Sequence, residues 1–208
     1  MRSASRITVS TFGALMGMAG IEHGIGEILQ GNVHAEGLLF PSWPDSAFFR
    51  MLSGEPAMSI IPNMLATGVL ALFFSVAYVT WAVGFPHKKK GPLAMMVLAA
   101  GMLLFGGGLF PPVLGFLIGL AAARIRASKG WWADKASAGL RRFFARAWGW
   151  IFALCVLGWL ALFPGLNLLG YSFGVENKAL TIAIILLALV TLTLTVISAY
   201  AHDAQRTD

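Results

Sequence analysis

An all-α, polytopic membrane protein is the fold class this sequence predicts, and three observations predict it. Of 208 residues, 58% are hydrophobic and 12% charged, against about 45–50% and about 25% in soluble domains. Mean hydropathy is +0.77. The charges stand between long apolar runs rather than scattered through them. A soluble fold of this length has too little polar surface to cover such a composition. A soluble enzyme, a disordered chain and a nucleic-acid-binding domain are therefore excluded. The net charge of +6 belongs to loops flanking apolar runs, the pattern of cytoplasmic loops. Cys155 is the single cysteine, so no intramolecular disulfide or cysteine-based metal site can form.

The first apolar run, Ile7 to about Gln30, is long enough to cross about 30 Å of hydrocarbon at helical rise. Arg2 and Arg6 precede it as in a signal peptide. Glu22 and His23 stand where a cleavage site would fall, and no A-x-A pattern follows. The run reads as a retained first helix. A second pass is expected over Ala57–Phe85, with Ser53 as N-cap and Pro56 in its first turn, closed by Lys88-Lys89-Lys90.

Residues 92–125 are apolar throughout but interrupted by Gly106-Gly107-Gly108-Leu109-Phe110-Pro111-Pro112, a sequence that breaks helices. It predicts a hairpin of two short passes, a re-entrant hairpin, or one long kinked pass. Positive charge favours the transmembrane hairpin. It puts every Lys and Arg except Arg50 and Lys178 on one side, as the cytoplasmic-side rule requires. The last passes are expected over Trp148–Pro164 and Lys178–Tyr200. The expectation is six transmembrane helices with both termini inside, in a plasma or inner membrane, forming one integral membrane domain over residues 1–208.

Residues 32–55 are expected as an outer loop, with the amphiphilic FFRML patch on the outer surface. Residues 123–147 are expected as a basic amphipathic segment on the cytoplasmic side. There Trp132, Ala136, Leu140, Phe143 and Ala147 recur at helical spacing as one stripe. Arg124, Arg126, Lys135, Arg141, Arg142 and Arg146 are its candidate contacts to anionic lipid. The tail, AHDAQRTD, reads as frayed, with His202 solvated.

Ionisable groups inside a span are costly and mark candidate function, and they gather in GIEHGIGEILQGNVH, residues 20–34. On a helical wheel Gly13, Gly17, Gly20 and Gly24 form a seam for close helix approach. Glu27 lies at its edge, with His23 one turn below on the same flank and Glu22 on the opposite side. A His–Glu pair four residues apart can share a proton or supply two metal ligands. Two ligands are too few for a metal, so His34 or Glu22 would have to join them. The bland alternative puts Glu27 among headgroups and His23 in a hydrogen bond to a neighbouring helix. Asn63, beside Pro62, is expected at the same depth as Glu27, and with His23, Glu27 and Glu22 it is a candidate for ion or proton binding in an outward-facing polar site.

The small-residue-rich first helix, with His23-Gly24 near its outer end, resembles a short stretch of DoxX-like membrane proteins. The resemblance spans about a dozen residues and carries no function to this longer chain. The residues themselves point to a small transporter or an ion- or proton-handling protein, more readily than to an enzyme. A non-catalytic subunit docking a membrane-protein partner or a second copy through the glycine seam is the alternative. A metal- or haem-binding redox protein is the third reading; the sequence names no cofactor.

Overall fold

The computed structural model describes residues 3–175 and 177–205, without the side chains of 126–130 and 133. Helices dominate: α1 (Ala4–Gln30), α2 (Met64–Gly84), α3 (Gly91–Leu104), α4 (Phe110–Asp134), α5 (Ala138–Leu160), α6 (Leu166–Phe173) and α7 (Lys178–Gln205). A short antiparallel pair, β1 (Leu39–Pro41) and β2 (Pro56–Met58), lies between α1 and α2. Among the described residues, three helical stretches are long and apolar enough to cross a membrane: Met64–Gly84, Ala138–Phe173 and Lys178–Ala204. Gly91–Leu104 and Phe110–Ile125 are shorter apolar helices. The chain forms two compact units, residues 9–123 and residues 1–8 with 124–208.

In the first unit, α1 and α2 run antiparallel along the glycine seam. A Cβ on Gly13 would lie 2.6 Å from Ala82 Cβ, and one on Gly24 would lie 2.9 Å from the Gly68 carbonyl. Between them, Gly17 faces Val79 and Gly20 faces Ser75. Absent side chains thus let the two backbones approach to a distance that larger residues would forbid. The seam is filled by α2 of the same chain.

The second helix starts later than its sequence suggests. Residues 56–58, expected inside it, pair with residues 39–41, and Ser53, instead of starting α2, lies in left-handed backbone at the C-terminal end of a 3-10 turn, Arg50–Leu52. Asn63 is the cap, its Oδ1 accepting the Ala66 N–H at 2.9 Å. Pro56 and Pro62 bracket a stretch that cannot donate a full set of helical hydrogen bonds, and pairing with β1 satisfies it instead.

The break at residues 105–109 separates two helices that fold back on each other. A Cβ on Gly119 of α4 would lie 2.8 Å from Met96 Cγ and 3.3 Å from the Pro92 carbonyl of α3. The single kinked helix is therefore overturned. The turn is stitched to the β hairpin: Gly106 N–H donates to Met58 O at 2.8 Å and Ile60 N–H to Leu104 O at 3.0 Å. Gly107 N–H donates back to Met102 O of α3 at 2.7 Å, so the turn draws partners from both the hairpin and the preceding helix, as buried irregular backbone must.

In the second unit, α5 and α7 pack antiparallel through small residues, with Gly158 beside Ala188 and Thr195 Oγ1 donating to Ile151 O at 3.4 Å. Phe163 leaves helical geometry between α5 and α6, where Pro164 removes a donor. The single stripe expected over Trp132–Ala147 is interrupted. Here α4 ends at Asp134, and Ser137 starts α5 by accepting the Leu140 N–H at 3.3 Å. A serine's preference for the cap outweighs continued apolar spacing. Nor is the described part of the tail frayed: α7 continues to Gln205, Asp203 is 2% exposed and His202 is half-buried, while residues 206–208 lie outside the described residues.

Candidate functional site

One helical turn puts His23 and Glu27 on the same flank of α1, and the hairpin covers them. His23 is 2% exposed and Glu27 is 0% exposed. The residue between them in space comes from the hairpin. Ser42 Oγ lies 2.9 Å from His23 Nδ1 and donates to Glu27 Oε1 at 3.2 Å. With its proton directed to the carboxylate, Ser42 can only accept from the imidazole, which assigns the ring proton to Nδ1. Nε2 is then the acceptor, and it lies 3.8 Å from Glu55 Oε2.

The backbone holds Ser42 in place. Its N–H donates to Glu55 O at 3.0 Å, and its carbonyl accepts from Gln30 Nε2 at 2.9 Å. Trp43 N–H donates to Gly54 O at 2.9 Å, and the indole stacks on Phe49 at 4.8 Å. The FFRML patch thus contributes Phe49, a buried side chain, to the hairpin's own packing. Successive left-handed residues, Ser53, Gly54 and Glu55, reverse the chain just before β2. Non-glycine residues in that conformation persist where their surroundings over-determine them.

The α3–α4 turn forms the opposite wall. Gly106 and Gly108 both have φ +88, a conformation open to glycine. A Cβ on Gly106 would collide with the Glu27 carboxylate, and one on Gly108 would lie 2.5 Å from His23 Nε2. Among the described residues, Glu27 Oε2 and Glu22 Oε1 are buried without a hydrogen-bond partner. Glu22 was expected to face away from the pair. Its carboxylate instead lies within electrostatic reach of Glu55 and of Glu27, because the hairpin wraps around the end of α1.

The other expected residues lie elsewhere. Asn63 caps α2 and donates to Asn32 Oδ1 at 2.7 Å. His34 is exposed. Among the described residues no three His, Cys, Asp or Glu side chains are placed to hold a metal ion. Arg124, Lys135, Arg142 and Arg146 are exposed and Arg141 is half-buried, whereas the Arg126 side chain lies outside the described residues.

No protein family, curated protein or solved structure matches the chain. What the site does must be read from its own chemistry.

Ser42 and Glu55 escaped the sequence reading because nothing periodic marks them. Each is a lone polar residue in a loop, brought to the helix by strand pairing. The sequence signals nearest to them are the PSWP run around Ser42 and the Ser53-Gly54 turn before Glu55. Asp203 was missed as well. It closes the unsatisfied first turn of α1, accepting from Ala4 N–H at 2.8 Å and Ser5 N–H at 3.1 Å, and from the Ser5 hydroxyl. The four free N–H groups of a helix start attract a carboxylate, a partner that only the folded chain identifies.

Proposed function

We propose that the chain is a multi-pass protein of a plasma or inner membrane that moves a small cation or a proton through the site on α1. The observation that carries this reading is the buried His23–Ser42–Glu27 chain, in which Glu27 Oε2 has no hydrogen-bond partner among the described residues. A buried carboxylate oxygen left unsatisfied is unfavourable, and a proton or a cation is what it lacks. Irregular backbone beside it, in the Gly106–Gly108 turn and the hairpin, resembles the broken elements that line transport sites.

Six passes with both termini inside fit this reading. Asp203 of α7 meets Ala4 of α1, so the two chain ends share one end of their unit, as an even number of passes requires. The charges of Lys88–Lys90 and of Arg124, Arg126, Lys135, Arg141, Arg142 and Arg146 then fall on the cytoplasmic side, against anionic lipid. The site would open toward the outer face. Docking a partner through Gly13, Gly17, Gly20 and Gly24 is the weaker reading, because α2 occupies that seam.

The test is flux in liposomes holding the purified full chain, measured for protons, Na⁺ and K⁺ under imposed gradients. Flux that Glu27→Gln and His23→Ala both abolish, in variants that elute and unfold like the parent, supports the reading. Equal flux in parent and variants, or none in any, sinks it.

A further inference from the structure

We infer that the species handled is the proton, and that it travels along Glu55, His23, Ser42 and Glu27. This deepens the proposed function and rests on it. The atoms alternate as a proton relay requires: Glu55 Oε2, His23 Nε2 and Nδ1, Ser42 Oγ, Glu27 Oε1, separated by 3.8, 2.9 and 3.2 Å between side chains. Each inner member both accepts and donates a proton. A metal cation needs several oxygens converging on one point. Here Glu27 Oε1 already accepts from Ser42, and Glu27 Oε2 faces the Cα of Gly106.

The transfers balance. A protonated Glu55 gives its proton to His23 Nε2. The ring releases its Nδ1 proton to Ser42 Oγ, and Ser42 passes its own hydroxyl proton to Glu27 Oε1. Glu55 ends ionised, Glu27 neutral, Ser42 unchanged, and His23 neutral with its proton on Nε2. Reset then takes three events: the ring returns to its Nδ1–H form, Glu55 takes up a proton from water, and Glu27 releases the one it received. The first gap, 3.8 Å, must close to about 3 Å for transfer. Glu55 stands at one end of this path, 16% exposed against 2% for His23, which makes it the member nearest water.

On α1, Glu22 lies within electrostatic reach of Glu55 and Glu27, and residues 106–108 of the opposite wall are glycines. The backbone hydrogen bonds of Ser42 to Glu55 and Gln30 hold the bridging hydroxyl in register with both partners.

The experiment uses the full chain in liposomes with an internal pH-sensitive dye, driven by a K⁺ diffusion potential. Expected are proton uptake by the parent and a loss of roughly a hundredfold in Ser42→Ala and Glu55→Gln, the scale of a positioned proton-transfer group. Ser42→Thr, which keeps the hydroxyl, should restore uptake, and the parent should slow in D₂O. Glu55→Gln preserves size, so it carries the test should Ser42→Ala fail to fold. Parent-like uptake in Glu55→Gln overturns the relay. Na⁺ or K⁺ flux without proton uptake, still abolished by Glu27→Gln, overturns the relay and leaves the broader reading standing. Absence of all flux removes both.

Discussion

The Asp203 carboxylate accepts the backbone N–H of Ala4 at 2.8 Å, joining positions 199 residues apart. It also accepts from Ser5 N–H at 3.1 Å and from the Ser5 hydroxyl. The contact ties the last helix to the first turn of α1, where backbone donors have no helical partner. Asp203→Ala should lower stability by about 1–2 kcal/mol, the range for a lost cap. Asp203→Asn, which retains an acceptor without the charge, should lose less. Thermal unfolding in detergent reads both; equal melting of Asp203→Ala and parent would show that the cap contributes nothing.

Gly108→Ala should damage the site through His23. Its φ of +88 and a Cβ only 2.5 Å from His23 Nε2 impose two penalties. The backbone conformation alone costs a non-glycine residue on the order of 1–3 kcal/mol, and the ring must also move. The expected result is a lower melting temperature together with impaired flux. Normal values for both would contradict the close packing of the turn on the imidazole.

Gly24→Val tests whether the seam is internal. Its Cβ would lie 2.9 Å from the Gly68 carbonyl and 3.1 Å from Ala71 Cβ, so there is no room for branching. Overpacking of this kind costs roughly 1–3 kcal/mol, and the variant should unfold earlier as the purified single protein. A variant that melts like the parent but loses a bound membrane protein would favour an intermolecular seam.

Asn167 carries a different expectation. Its side chain is fully buried, and among the described residues neither amide atom has a hydrogen-bond partner. A buried unsatisfied polar group costs about 1–3 kcal/mol. Asn167→Leu, which keeps the branching and the number of side-chain heavy atoms, should therefore be neutral or raise the melting temperature. A clear destabilisation would reveal a partner for the amide.

The positions of His23 and Glu27 on one flank of the first helix were legible because helical period is a local property. The same holds for the break at Gly106–Pro112, where residue type alone forbids continuation. Local rules failed where distant partners compete. Pro56–Met58 carry apolar character that suits a helix, yet they pair with Leu39–Pro41. Trp132 and Leu140 share a helical period, yet Ser137 separates their helices. Glu22 points away from His23 on a wheel, yet a hairpin wrapped around the helix brings Glu55 within its reach.

By itself, the sequence determined an apolar, helical chain with few charges and placed the His23–Glu27 pair among them, because composition and period act through neighbours in the chain. The tertiary structure decided what surrounds that pair. It supplied Ser42 as the bridge, Glu55 as the neighbour of His23 Nε2, Gly106 and Gly108 as the wall, and Asp203 as the cap of α1. Those partners lie in loops or at a remote helix end, where no periodicity records the contact. Only closing the chain brings their hydrogen-bonding groups together.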